Sequence, residues 1–225
     1  MATAANLELS SSTSPLLWNV TDFDHTPCYC EENVYLLCKK LSTIGLSNKD
    51  GSDLFVVFIS NDHKQLCELS MNAHDLCNIV LRQLHTLVLM KSQNFGENCR
   101  RIRKAKFPFP SPLAQYVSQA IQPSFQVYPE YQRYLRVVHA PIFLCKFASD
   151  RRHMKDSAGN WISHPPAYES IIAEDGTIHN LSKYIKIGAS EVTNVSDDLM
   201  HRVLSENFGV VVTERQLEDL VSSLT

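Results

Sequence analysis

From position 31 the chain places apolar side chains at helical spacing, Val34, Leu37, Cys38 and Leu41, which predicts a helix from Glu31 to about Ser42. A polar loop follows over Ser47 to Ser52, where Asn48-Lys49-Asp50-Gly51 has turn chemistry. Leu54 to Ser60 is then an unbroken apolar, β-branched run, the pattern of a central strand covered on both faces. Leu76 to Met90 is apolar again, and its periodicity fits a strand or a buried helix equally. Phe107-Pro108-Phe109-Pro110-Ser111-Pro112 is a rigid turn whose prolines forbid regular pairing. Beyond it the pattern predicts a helix over Leu113 to Ile121 and a strand over Tyr134 to His139, ended by Pro141. Ser149 to Ala167 is rich in Asp, Ser, Gly, Asn and Pro and is expected to be a long ordered loop. Asp197 to Asn207 reads as a helix stopped by Gly209. A second helix begins at Thr213, where Thr213-Glu214-Arg215-Gln216 has capping-box form.

Composition narrows the class. A chain of 225 residues, 44% of them hydrophobic, can bury a substantial core. Residues 25–225 are expected to form a single domain behind a Ser/Thr/Ala-rich, disordered leader over 1–24. That leader lacks the lysines and arginines of a signal or transit peptide between Met1 and Pro15, and no run is long enough for a membrane span. A formal charge of −3 gives no global pull toward nucleic acid or an anionic membrane. Seven cysteines without regular spacing suit a reducing compartment, cytoplasmic and possible in the nucleus, rather than a disulfide framework. The run Arg100 to Lys106 reads as a solvated charge cluster, or more sharply as a localisation or nucleic-acid patch.

The sharpest chemical signal is Cys28-Tyr29-Cys30-Glu31-Glu32-Asn33, which puts a thiol at the mouth of the first helix. Unpaired backbone N–H groups and the helix dipole favour thiolate there, and the thiolate is the nucleophile. Two adjacent glutamates work in the opposite direction. The alternative for Cys28, Cys30 and Cys38 is that they are small buried hydrophobes. Metal binding by the three has little support, because their spacing has no matching second half.

These residues also carry a resemblance. Cys28 to Cys38, Phe55 to Asn61, Pro108-Phe109-Pro110 and Phe147-Ala148-Ser149-Asp150-Arg151-Arg152-His153-Met154-Lys155-Asp156 through Gly159-Asn160-Trp161 are similar to the protein N-terminal glutamine amidohydrolases. The C-terminal part, with Gly209-Val210-Val211-Val212, resembles the plant branch of that family. The resemblance implies an α/β fold, a transglutaminase- or papain-like α-β-α sandwich around a central, mainly antiparallel sheet. It implies deamidation of an N-terminal glutamine to glutamate with release of ammonia, as a step of an N-degron route, by a Cys-His-Asp triad with no metal and no cofactor. The partners it implies are protein or peptide substrates beginning with glutamine, with no nucleic acid and no membrane, and a monomer is the default. The nucleophile of the family motif falls on Cys30. Asp150 is the candidate for binding the substrate's amino group, and His153 lies in the same matching block with a structural role expected.

The chain departs from the family between residues 66 and 106. The family's Trp-Asp-Tyr-His-Val and Trp-Asp-Leu-Asp blocks, which carry the catalytic histidine and aspartate, are both missing. His85 stands within about one position of the expected histidine and is the candidate base. No carboxylate occupies the expected place of the aspartate. The segment keeps the family length, so another reading frame or exon, a silent product, or divergence with a working base would each account for it. The first is favoured by the joint loss of both blocks. The replaced segment should still hold a strand beside Val56 to Ile59.

Overall fold

A computed structural model describes residues 25–60, 85–90, 132–194 and 198–224 of the chain, residues 85–90 only as a strand and its pairing. The expected leader over 1–24, the turn at Phe107 to Pro112, the helix at Leu113 to Ile121 and the basic run at Arg100 to Lys106 lie outside these residues.

The described residues carry one sheet of four strands, β1 (Leu54–Ser60), β2 (His85–Met90), β3 (Tyr134–His139) and β4 (Val210–Thr213), in the order β2-β1-β3-β4. Every pairing is antiparallel, with Val56 opposite Val88 and Val138, and Val137 opposite Val210. β1 is therefore flanked on both edges, and all seven of its residues are buried, as its unbroken apolar run predicts. The open alternative for Leu76 to Met90 resolves to strand over β2, which lies beside β1 as expected.

Helices cover both faces of the sheet. On one face α1 (Cys30–Thr43), α2 (Ala140–Lys146) and α3 (Leu181–Ile185) pack Tyr35, Cys38, Phe143 and Tyr184 against Val56, Phe58 and Val138. On the other, α4 (Leu199–Ser205) and α5 (Glu214–Leu224) press Val203, Leu217, Leu220 and Val221 onto Phe55, Val57, Leu135 and Val137. The alternation of β1 and β3 side chains between the two clusters is the two-residue period of a strand buried on both sides. Each fully buried aliphatic or aromatic side chain contributes about 1.5–3 kcal/mol, so this double layer is the main source of stability.

Local signals place most elements. α1 begins within a residue of its predicted start, and Asn33 secures its entry: the side-chain Nδ2 donates to Thr26 O (2.8 Å) and Oδ1 accepts from Thr26 N (2.9 Å). At α5, Thr213 Oγ1 accepts from Gln216 N (3.2 Å) while Gln216 Oε1 accepts from Thr213 N (2.8 Å), which is the predicted capping box. Three elements escaped the pattern: α2, α3 and β4. Pro141 ends β3 but also starts α2, since its fixed φ suits a helix's first turn. Among the described residues no helix is long and apolar enough to cross a membrane.

Candidate active site

Cys30 is the first residue of α1 and is buried. The chain reaches it through Cys28 at a positive φ of 72° and Tyr29, whose hydroxyl donates to Ser163 O at 3.1 Å. That bond ties the helix start to the loop expected at Ser149 to Ala167, which does hold irregular backbone with one short 3₁₀ turn, Arg152–Met154. Burial pushes the Cys30 thiol up to about 12, the Glu31 and Cys28 charges add to the rise, and only a backbone hydrogen bond opposes it. Helix-start stabilisation of the thiolate is thus outweighed here by desolvation. Among the described residues no histidine hydrogen-bonds to the Cys30 thiol. Cys38, about two turns further along α1, is fully buried and likewise pushed up to about 12 by burial alone. It is a core residue.

Both glutamates after Cys30 are buried, which the sequence did not signal. Glu32 is matched by Arg151, whose Nε lies 3.1 Å from both carboxylate oxygens and whose Nη2 lies 3.0 Å from Oε2. Arg151 holds a left-handed φ of 62°, stacks 4.8 Å from the centre of the Tyr168 ring and donates to Glu169 O at 3.1 Å. This fork seats the loop on the first turn of α1.

Glu31 faces a different group. Its Oε1 lies 3.1 Å from His153 Nε2, and the His153 ring stacks on that of His179 with centroids 6.2 Å apart. His179 Nδ1 in turn lies 3.1 Å from Asp150 Oδ1. Both close contacts fall off the line of a hydrogen bond, leaving Glu31 Oε1 and His179 Nδ1 without one among the described residues. Asp150 also accepts from Arg152 Nε, at 2.7 Å and 3.0 Å, and from Arg152 N at 3.1 Å. Its carboxyl is held below the usual range chiefly by the Arg152 hydrogen bond. The His179 imidazole is lowered by burial, against the pull of Asp150. His179 is positioned by its neighbour: Asn180 Oδ1 accepts from Ala148 N at 2.9 Å and Asn180 Nδ2 donates to Lys146 O at 2.6 Å.

The structure therefore joins the Cys30 helix to the Asp150–His153 block through Glu31 and Glu32. It adds His179, for which the sequence offered no signal beyond residue type. His85, the candidate base, is the first residue of β2, opposite Ile59, and α1 packs against β2. Among the described residues no group of three His, Cys, Asp or Glu is placed to hold a metal ion.

A buried cysteine opening a helix, over a twice-covered antiparallel sheet, defines an α/β protein with a buried thiol at a helix–loop junction. The chain belongs to the N-terminal glutamine amidase family, whose model matches residues 25–221. It is 46% identical over 216 residues to the protein N-terminal glutamine amidohydrolase of Arabidopsis thaliana, covering 95% of this chain and 98% of that one. To the protein of the same name from Oryza sativa subsp. indica it is 44% identical over 205 residues, 90% of this chain and 88% of the relative. To that of Homo sapiens it is 34% identical over 190 residues, 81% and 89%.

Proposed function

We propose that this chain deamidates the side chain of an N-terminal glutamine in proteins or peptides, giving glutamate and ammonia. The observation that carries the reading is Cys30 at the opening of α1, inside a family match that runs through residues 25–221. In the reaction the Cys30 sulfur adds to the carboxamide carbon, and helix N–H groups stabilise the oxyanion. Ammonia leaves with a proton from the base, and water then cleaves the thioester to release glutamate and the thiol. A thiol held near 12 needs that base, because the attacking species is the thiolate. His85 is the residue we assign to it, and Asp150 lies at the substrate end. The sandwich is of the transglutaminase and papain-like kind, and residues 25–225 act as one monomeric domain behind the leader at 1–24. The product enters an N-degron route in the cytoplasm and nucleus. Partners are the protein substrates, with no nucleic acid, membrane or cofactor.

A second reading is a silent relative that binds protein N-termini without turnover. It is favoured by the raised Cys30 thiol and by the loss of the family's histidine and aspartate blocks between residues 66 and 106. Ammonia release from a peptide beginning with glutamine separates the two. The amidohydrolase reading expects release from that peptide and none from one with internal glutamine. It also expects a loss of about 10³-fold or more in both Cys30→Ala and His85→Ala. Binding of the peptide without release by the folded chain selects the second reading.

A further inference from the structure

We propose that Glu31 receives the α-ammonium group of the substrate's first residue. This rests on the amidohydrolase reading and deepens it, because it assigns the group that makes the site select a chain terminus rather than any glutamine side chain.

Glu31 follows the nucleophile directly in the first turn of α1. It is 97% buried, yet its Oε1 has no hydrogen bond among the described residues. A buried carboxylate oxygen left in this state is costly, and a charged donor is the partner that relieves it most. The other acids of the cluster are already engaged. Glu32 is filled by the Arg151 fork, and Asp150 by the side chain and backbone N–H of Arg152. His153, which flanks Glu31 Oε1 at 3.1 Å, has a side chain 27% exposed, so the carboxylate lies just behind a group that reaches solvent.

The substrate's own dimensions set the span that the site must cover. Four bonds separate a glutamine's α-nitrogen from its carboxamide carbon, a reach of about 5 Å. Cys30 and Glu31 follow one another in the first turn of α1, with Cα atoms about 3.8 Å apart. Glu31 also stands close enough to Cys30 for its charge to act on the thiol. An ammonium seated on Glu31 would cancel part of that unfavourable charge, so a correctly bound terminus would favour the thiolate that attacks it.

The test is made in the Cys30→Ala chain, where binding is measured apart from turnover. Calorimetry compares a peptide beginning with glutamine and the same peptide lacking only the α-amine, a glutaramoyl cap. The amine-bearing peptide should bind at least about tenfold more tightly. Glu31→Gln in that background should erase the preference by weakening the amine peptide alone, and Asp175→Asn, at an exposed acid paired with Lys146, should leave it in place. Glu31→Asp, which keeps the charge but withdraws it by one methylene, replaces the amide variant if circular dichroism shows that variant unfolded, and should reduce the preference. A preference unchanged by the folded Glu31 variant, or abolished equally in folded Asp175→Asn, overturns the assignment while the amidohydrolase reading stands. If neither peptide binds the Cys30→Ala chain, the reading itself fails and the assignment with it.

Discussion

Cys30 and Cys38 show what burial does to a thiol at two positions of one helix. Both thiols are pushed from the ordinary value of 9.0 up to about 12, so at neutral pH both are protonated in the folded chain. Alkylation of Cys30 by iodoacetamide should be about tenfold slower or more at neutral pH than that of a free cysteine, read by mass spectrometry of the Cys30 peptide. The same shift has a consequence for stability. An unfolded chain releases these protons near pH 9, whereas the native chain holds them to about 12. Stability from this source is complete below about pH 9 and falls as pH rises toward 12. In Cys38→Ala the fall in unfolding free energy between pH 9 and 11 should be shallower by close to one proton, as measured by denaturant titration at each pH. The helix-start position of Cys30 was legible from its neighbours, and so was the adverse sign of the adjacent glutamates. Burial of Cys30 was one of two readings left open, and the choice between them was not legible, since the depth at which it packs is set by the tertiary fold rather than by its neighbours in sequence. His179 was silent for the same reason, because its partners Asp150 and His153 are distant in sequence.

Elements were legible wherever a local signal had only one outcome. The run at β1 and the capping box at α5 each state their structure within a few residues. α2 was missed because Pro141 is an ambiguous signal, ending a strand and opening a helix at once. β4 was missed because four residues, Val210–Thr213, are too few for a period and become strand through distant pairing, with β3 and with Val192. Gly209, expected as a helix stop, does more. It sits at a φ of 64°, and an added Cβ would fall 2.1 Å from Val137 O and 2.7 Å from Val138 Cγ2. The glycine thus lets the chain turn tightly against the backbone of β3 as it enters β4. Gly209→Ala combines a left-handed φ with a backbone clash and should destabilise by roughly 2–4 kcal/mol. Urea denaturation should show this as a lowered midpoint at unchanged slope.

At the scale of the whole molecule, the sheet with its two helical layers fixes the scaffold, and one buried ion pair docks the loop that completes the site. Glu32 has no exposed side-chain surface and Arg151 has 7%, and the Arg151 guanidinium also reaches the backbone at Glu169 and Pro166. Removing one partner strands the other charge out of water. Glu32→Gln should therefore cost about 3–5 kcal/mol in unfolding free energy. Replacing both partners, as Glu32→Leu with Arg151→Met, removes the stranded charge and should restore much of that loss. It should not restore the loop, because the carbonyls of Pro166 and Glu169 lose their donor and Tyr168 its stacked cation. Global stability and local order then separate: the double variant should unfold in urea near the parent's midpoint yet be cut faster by trypsin at the exposed Arg152 and Lys155. Equal cleavage rates in parent and double variant would mean that Tyr29 and Ser163 hold the loop without the arginine. Faster cleavage would place the docking of the candidate site on a pair whose members are 119 residues apart in the chain.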